Sequence, residues 1–169
     1  MMTAGPPHIL SEEEIIKLLS TISDPEIPVI TISDLGVLRH VEWKGEGLEV
    51  SITPTYSGCP AMKMIQDDIL ALLKQNGIDK AKVVLVYSPA WTTDWISAEA
   101  KEKLRVYGIA PPEHSTVDKS ALTGKPKHLA CPRCKSEHVE MVSQFGSTAC
   151  KALYKCLDCQ EPFDYFKCI

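Results

Sequence analysis

Cys131-Pro132-Arg133-Cys134 and Cys156-Leu157-Asp158-Cys159 form two Cys-x-x-Cys knuckles separated by 21 residues. Each knuckle supplies two thiolates at a spacing that fits one tetrahedral ion, and zinc ranks ahead of iron for such a set. Val139–Gln144, Ala152–Tyr154 and Phe163–Phe166 are the segments available as short strands to bring the knuckles together. About 45 residues hold too little apolar surface for a stable core of their own, so a metal staple is physically required. Redox use of one pair is disfavoured by the presence of both. His128 and His138 flank the first knuckle, but four cysteines already complete a shell, so both histidines are read as surface residues. Cys150 and Cys168 stand outside the knuckles; either could be a ligand in an alternative arrangement, a site for a second metal or a buried residue, and buried or redox-labile is the favoured reading.

A seventh thiol, Cys59, sits in Pro54-Thr55-Tyr56-Ser57-Gly58-Cys59-Pro60. Leu48–Thr53 before it alternates apolar and polar residues, the period of a half-buried strand. After it, Met62, Ile65, Ile69 and Leu72 recur at spacings of three and four, which predicts an amphipathic helix from Ala61 to about Gln75. Pro60 suits the first helical position, so Cys59 falls at or beside the N-cap. There, orphan N–H groups and the helix dipole favour a thiolate. Two readings stay open for it: a nucleophile or metal ligand, or a small buried hydrophobe.

The elements around these thiols can be taken in order. Ser11-Glu12-Glu13-Glu14 has the form of a capping box, and Ile15, Leu19 and Ile22 then share a face, predicting a helix over 12–21. Asp24-Pro25-Glu26-Ile27-Pro28-Val29 follows as extended chain or turn. Val37–Trp43 and Leu48–Thr53 flank Lys44-Gly45-Glu46-Gly47 as an antiparallel hairpin. Asn76-Gly77 ends the Cys59 helix. Lys82–Tyr87, a continuous apolar run, reads as a strand buried on both faces. Ser88–Trp95 is a loop with two tryptophans, which either line a site or cover the core. Ser97 caps a third helix to about Tyr107, with Ala100, Leu104 and Tyr107 inward. This order gives an α/β fold, a small mixed sheet packed by helices, and the Cys59 and Trp91–Trp95 loops are expected at the same sheet edge. The stretch Ala110–Pro126 has no apolar period. The expected division is therefore an α/β domain over 11–110, a linker over 111–127 and a four-cysteine zinc ribbon over 128–169.

Of the 169 residues, 44% are hydrophobic and 24% charged, the balance of a globular protein. No apolar run approaches the ~18 residues that span a bilayer, and Met1–Gly5 lacks a signal-peptide core. A soluble cytoplasmic protein is expected, with no membrane partner, and in that compartment the cysteines imply metal or redox chemistry rather than a disulfide scaffold. From Lys119 onward there are eight Lys/Arg against five Asp/Glu, net +3, whereas the first 118 residues carry ten against seventeen, net −7. The basic tail hints at an acidic partner, but it has no dense basic patch and the acidic first domain would repel phosphate, so nucleic acid is not expected. A thiol-dependent enzyme built on Cys59 lacks a partnered histidine in the local motif.

Asp24-Pro25-Glu26-Ile27-Pro28-Val29, Asp34-Leu35-Gly36 and Pro54-Thr55 to Gly58-Cys59-Pro60 together resemble the small α/β domain of iron–sulfur assembly factors of the SufT type. Adding Phe145-Gly146-Ser147-Thr148, Cys150-Lys151 and Leu153-Tyr154-Lys155-Cys156, the chain over about 12–169 resembles the PaaD family of phenylacetyl-CoA epoxidase components. The resemblance implies a role in phenylacetate degradation, in an accessory or maturation capacity rather than as the oxygen-activating subunit. No catalytic residue is assigned. The implied partners are the diiron oxygenase subunits or the iron–sulfur flavin reductase of that system. Cys59 would be the functional thiol, with Asp24, Glu26 and Asp34 lining or bracing its pocket; Thr92, Thr93 and Asp94 are a weaker carry-over. Zinc would be structural, held by Cys131, Cys134, Cys156 and Cys159, and iron or an iron–sulfur cluster would pass transiently through Cys59. One thiolate cannot hold a cluster alone, so a dimer mate, nearby carboxylates or a client cysteine would complete the shell. A non-catalytic structural subunit of the epoxidase complex is the competing expectation.

Overall fold

The computed structural model describes residues 10–112 and 129–167. The expected linker from residue 113 on, His128 and Cys168 lie outside the described residues. Helix α1 is Glu12–Leu19, and its capping box forms as expected: Ser11 N–H donates to Glu14 Oε2 at 2.8 Å and Glu14 N–H to Ser11 Oγ at 3.2 Å. Ile15 and Leu19 point into the core and are fully buried.

Strands β1 (Leu38–Lys44) and β2 (Gly47–Ile52) pair antiparallel, and β3 (Ala81–Leu85) pairs parallel to β2, giving the order β1-β2-β3. Between β2 and β3 runs α2, Ala61–Gln75. Its face carrying Ile65, Ile69 and Leu73 is fully buried against the sheet. Each such side chain contributes about 1.5–3 kcal/mol relative to exposure, so this face anchors the helix whose start carries Cys59. Because β2 and β3 are parallel, with Ile52 opposite Leu85, the loops that leave them emerge at one edge of the sheet. The Cys59 and Trp91 loops therefore share an edge, as the sequence implies.

Two expectations change. Among the described residues β3 is an edge strand hydrogen-bonded on one side only, and Val83, Val84 and Leu85 are half-buried rather than covered on both faces. A β-branched run satisfies an edge with one helix over it as readily as a central strand. Helix α3 (Ala98–Tyr107) is capped by Ser97, whose Oγ accepts Ala100 N–H at 3.0 Å. It buries Ala100 and Leu104 but leaves Tyr107 exposed, because Gly108 turns left-handed (φ 98°) directly after it and carries the chain away.

Beyond α3, the short strand β4 (Ile109–Ala110) joins a second sheet with β5 (Val139–Ser143), β6 (Lys151–Cys156) and β7 (Pro162–Phe166), in the order β4-β7-β6-β5. Tyr154 fills its centre, stacked on Phe163 at 6.1 Å and edge-on to Tyr165 at 5.9 Å. The two sheets are welded together: Phe166 and Cys150 belong to the core of the first, and Phe166 meets Trp91 edge-on at 6.2 Å. No helix among the described residues is long and apolar enough to cross a membrane.

Candidate functional site

The Cys59 loop leaves β2 through Thr53, whose buried hydroxyl has no hydrogen-bond partner among the described residues. Gly58 takes φ 81°, a conformation open to glycine at little cost. Cys59 N–H then bonds the Tyr56 carbonyl at 3.3 Å and Met62 N–H bonds the Cys59 carbonyl at 3.2 Å, so the loop winds directly into α2. Pro60 occupies the N-cap, which puts Cys59 one residue outside it.

Cys59 is half-buried. The expected helix-end donor is present: the Ala61 N–H reaches the sulfur. The expected thiolate bias is not. Burial pushes the thiol up, and Glu26 and Asp24 push it further, outweighing the Ala61 N–H and the Tyr56 hydroxyl. Cys59 therefore rests as a thiol. Its neighbour Tyr56 is raised to about 12 by burial and then by Cys59, Glu26 and Cys150.

The carboxylates come from the turn after α1. Asp24 is buried, and its Oδ1 accepts the backbone N–H of Glu26 at 2.9 Å and of Ile27 at 2.8 Å. That turn holds Glu26 toward the second sheet, where Glu26 Oε2 accepts the Cys150 thiol at 3.3 Å and the Glu26 carbonyl accepts Lys151 Nζ at 3.4 Å. Burial raises the Asp24 carboxyl despite its two backbone donors. Asp34 stands apart from this group. Its Oδ2 accepts Thr31 N–H at 3.0 Å and Lys103 Nζ at 2.8 Å, and it stays below the usual carboxylate range because these donors outweigh the burial that opposes ionisation. It braces the Thr31–Leu35 turn against α3. Gly36, next in that motif, has φ 69° and no room for a side chain: an added Cβ would lie 2.7 Å from Trp95 Cβ.

In the tryptophan loop, Trp91 is buried and its indole N–H donates to the Leu35 carbonyl at 2.7 Å. Trp95 lies under the Arg39 guanidinium at 3.8 Å. Thr93 is buried in the short helical turn Thr93–Trp95, whereas Thr92 is half-buried and Asp94 exposed. Trp91 thus covers the core, one of the two readings left open.

In the second sheet, the ligand atoms of Cys131, Cys134, Cys156 and Cys159 all lie within 4.8 Å of one another. Cys131 and Cys159 sulfurs are 3.7 Å apart, and Cys134 and Cys156 sulfurs 3.5 Å. Four sulfurs at about 2.3 Å around one tetrahedral ion would be roughly 3.8 Å apart, so the set fits a single metal. The knuckles repeat each other's geometry: Cys131 N–H bonds the Ser136 carbonyl and Cys156 N–H the Glu161 carbonyl, five residues on in each case. Lys135 and Gln160, each following the second cysteine, both turn left-handed (φ 64° and 63°). Cys159 N–H also donates to Cys156 Sγ at 3.5 Å, and backbone donors from Cys159 and then Asp158 lower Cys156 to about 7. His138 is exposed beside Asp158, on the surface as expected. The four-cysteine cluster supports metal binding.

Cys150 is buried as the sequence suggests, but its placement against Glu26 was not legible, since the two lie 124 residues apart. The block Thr148-x-Cys150-Lys151 was the signal available, and it names no partner.

Together these features define a small α/β domain carrying a four-cysteine ribbon. A family model described as "Iron-sulfur cluster assembly protein" matches residues 12–86, and one described as "PaaD zinc beta ribbon domain" matches residues 115–167. The chain is 51% identical over its full 169 residues to an Escherichia coli K12 protein named as a subunit of a "Putative 1,2-phenylacetyl-CoA epoxidase", covering 98% of it. It therefore belongs to the PaaD family. It is also 35% identical over 96 residues, 56% of this chain, to an "Fe-S protein maturation auxiliary factor" of Porphyromonas gingivalis, covering 90% of that protein. A solved domain of unknown function from Bacillus anthracis, 27% identical, superposes with a TM-score of 0.51 over 55% of this chain and 90% of its own length.

Proposed function

We propose that this protein is an accessory maturation factor of the phenylacetyl-CoA ring-epoxidising monooxygenase, receiving iron or an iron–sulfur unit at Cys59 and passing it to an epoxidase component. The observation that carries the reading is the convergence of Cys59, Tyr56 and the Asp24–Glu26 turn inside the segment that matches iron–sulfur assembly proteins. Full-length similarity to a protein named as an epoxidase subunit supports the client assignment.

Each residue has a part in this account. Cys59 holds its proton at rest because burial and two carboxylates disfavour the thiolate. It gives up that proton when iron arrives, so before loading the sulfur is protected against adventitious oxidation. Tyr56 donates to the sulfur in its anionic form, and Ala61 N–H does the same. Glu26 supplies negative charge toward a cationic cargo. Zinc is the metal proposed for the ribbon, held by Cys131, Cys134, Cys156 and Cys159, where it supplies structural cross-linking of the two knuckles. The division into an assembly domain, a linker and a ribbon follows this split of labour, and the cytoplasm is the compartment where free thiols and iron delivery are compatible.

The competing reading, a structural subunit that stays in the epoxidase complex, rests on the word "subunit" in the relative's name. The two part on one experiment: maturation of the epoxidase in cells whose sole copy carries Cys59→Ala. Accumulation of iron-deficient components supports delivery through Cys59. A fully active epoxidase in which the variant chain co-purifies stoichiometrically supports the structural role.

A further inference from the structure

We infer that a second copy of this chain docks on the outer face of α3, the two helices running antiparallel about a two-fold axis between Glu102 and Lys103. The contact does not involve Cys59, and it is independent of the delivery role proposed for that thiol.

Helix α3 buries Ala100 and Leu104 completely. The residues it leaves exposed fall in two rows at a spacing of four, Ala98-Glu102-Val106 and Glu99-Lys103-Tyr107. The outward face of a surface helix is ordinarily polar along its length. This one carries charge at Glu99, Glu102 and Lys103 and then ends in two large apolar residues, Val106 at 73% and Tyr107 at 54% exposure. The same six side chains, with Lys103 at one rim and Val29 at the floor, line a hollow of about 780 Å³.

The pattern is complementary to itself in one orientation. Rows spaced by four are the ridges that interlock in the commonest helix pairing, and a two-fold axis makes every contact occur twice. With the helices antiparallel, Glu102 of one copy meets Lys103 of the other, and small Ala98 meets large Val106. Tyr107 then enters the second copy's hollow against Val29, with its hydroxyl toward Glu99. With the helices parallel, Glu102 faces Glu102, Lys103 faces Lys103 and the hollow stays unfilled.

The charges at the axis are available for this. Arg105 Nε donates to Glu102 Oε2 at 2.8 Å and Lys103 Nζ to Asp34 Oδ2 at 2.8 Å, yet the Glu102 and Lys103 side chains stay 59% and 47% exposed. The contact joins these pairs into a row of alternating sign, Arg105–Glu102–Lys103–Asp34, across the axis. An acid followed by a base at the centre of the face is the order that two-fold symmetry satisfies, which favours a second copy over a client segment. An interface built on one ten-residue helix is at the small end of specific contacts, so a Kd on the order of 1–100 µM is expected.

The test is sedimentation equilibrium of the full, zinc-loaded chain across that concentration range. Wild type is expected to pass from monomer to dimer. Glu102→Lys sets two like-charge contacts across the axis, as does Lys103→Glu, and each is expected to raise Kd at least about tenfold. Val106→Glu is expected to leave only monomer. Near-UV circular dichroism and zinc content are expected to stay unchanged in all three. Mixing Glu102→Lys with Lys103→Glu in equal amounts is expected to restore a dimer near the wild-type Kd. In that heterodimer the introduced lysine meets the introduced glutamate, and native Lys103 meets native Glu102; misfolded variants could not rescue each other. A wild type that stays monomeric overturns the inference and leaves the face to a client or to the chain's own segment 113–128. A dimer indifferent to all three substitutions, or two charge variants that fail to rescue each other, overturns it equally.

Discussion

Asp24 gives the sharpest test of how the Cys59 neighbourhood is built. Its Oδ1 accepts two backbone N–H groups, those of Glu26 and Ile27, and Ile27 is 1% exposed. Asp24→Ala strands both donors, one of them fully buried. At about 1–3 kcal/mol for each donor left without a partner, the loss is about 2–6 kcal/mol. At roughly 2–4 °C per kcal/mol for a chain of this size, Tm falls by on the order of 10 °C. Asp24→Asn keeps the accepting oxygen and removes the charge. Because burial raises the Asp24 carboxyl in the folded state above its unfolded value, the ionised form opposes folding at neutral pH. That opposition fades as pH falls through the raised folded value. The Asn variant is therefore expected to match or exceed wild type at pH 7, with any advantage shrinking in acid. Thermal melts of the three proteins from pH 4 to 8 read this out. An Asn variant as unstable as the Ala variant at every pH would refute the claim that the carbonyl-type acceptor, rather than the charge, holds the turn.

Gly36→Ala must place a methyl 2.7 Å from Trp95 Cβ at φ 69°, and is expected to lower stability by about 2–4 kcal/mol, with an altered tryptophan near-UV signal in whatever folded fraction survives. Removing metal with a strong chelator should collapse the second sheet. Because Phe166 packs on Trp91, tryptophan fluorescence should change too; an unchanged spectrum after metal removal would contradict the welded interface. Cys59, a thiol at rest, should alkylate slowly with iodoacetamide at pH 7 and about tenfold faster per pH unit to beyond pH 9, read by mapping the label with mass spectrometry. A plateau already at pH 7 would show an activated thiolate instead.

Much of this architecture was legible because local signals agreed. Pro60 and the three-four spacing of Met62, Ile65, Ile69 and Leu72 placed α2 at Ala61–Gln75, and Ser11 and Ser97 cap the helices they were expected to cap. The metal cluster was readable because two Cys-x-x-Cys pairs constrain geometry directly. What escaped was set by tertiary context. Lys82–Tyr87 has the composition of a central strand, but its place at the edge depends on how many strands the sheet contains. Ile109–Ala110 is too short to show any period, and its pairing with β7 is fixed by Asp164 and Tyr165 far along the chain. The helix-end donor to Cys59 was foreseeable from Pro60, whereas its reversal, by burial first and by Glu26 and Asp24 after it, depends on tertiary packing that no local pattern shows. The turn after α1 brings Glu26 to Cys150, a contact no local pattern encodes.

The most direct test of the delivery account is the iron content of the epoxidase components purified from cells whose only copy of this protein carries Cys59→Ala. The account predicts that the variant accumulates folded, with one zinc per chain, while its client component carries less than about a tenth of the wild-type iron. Client components with full iron and full epoxidation activity would contradict it.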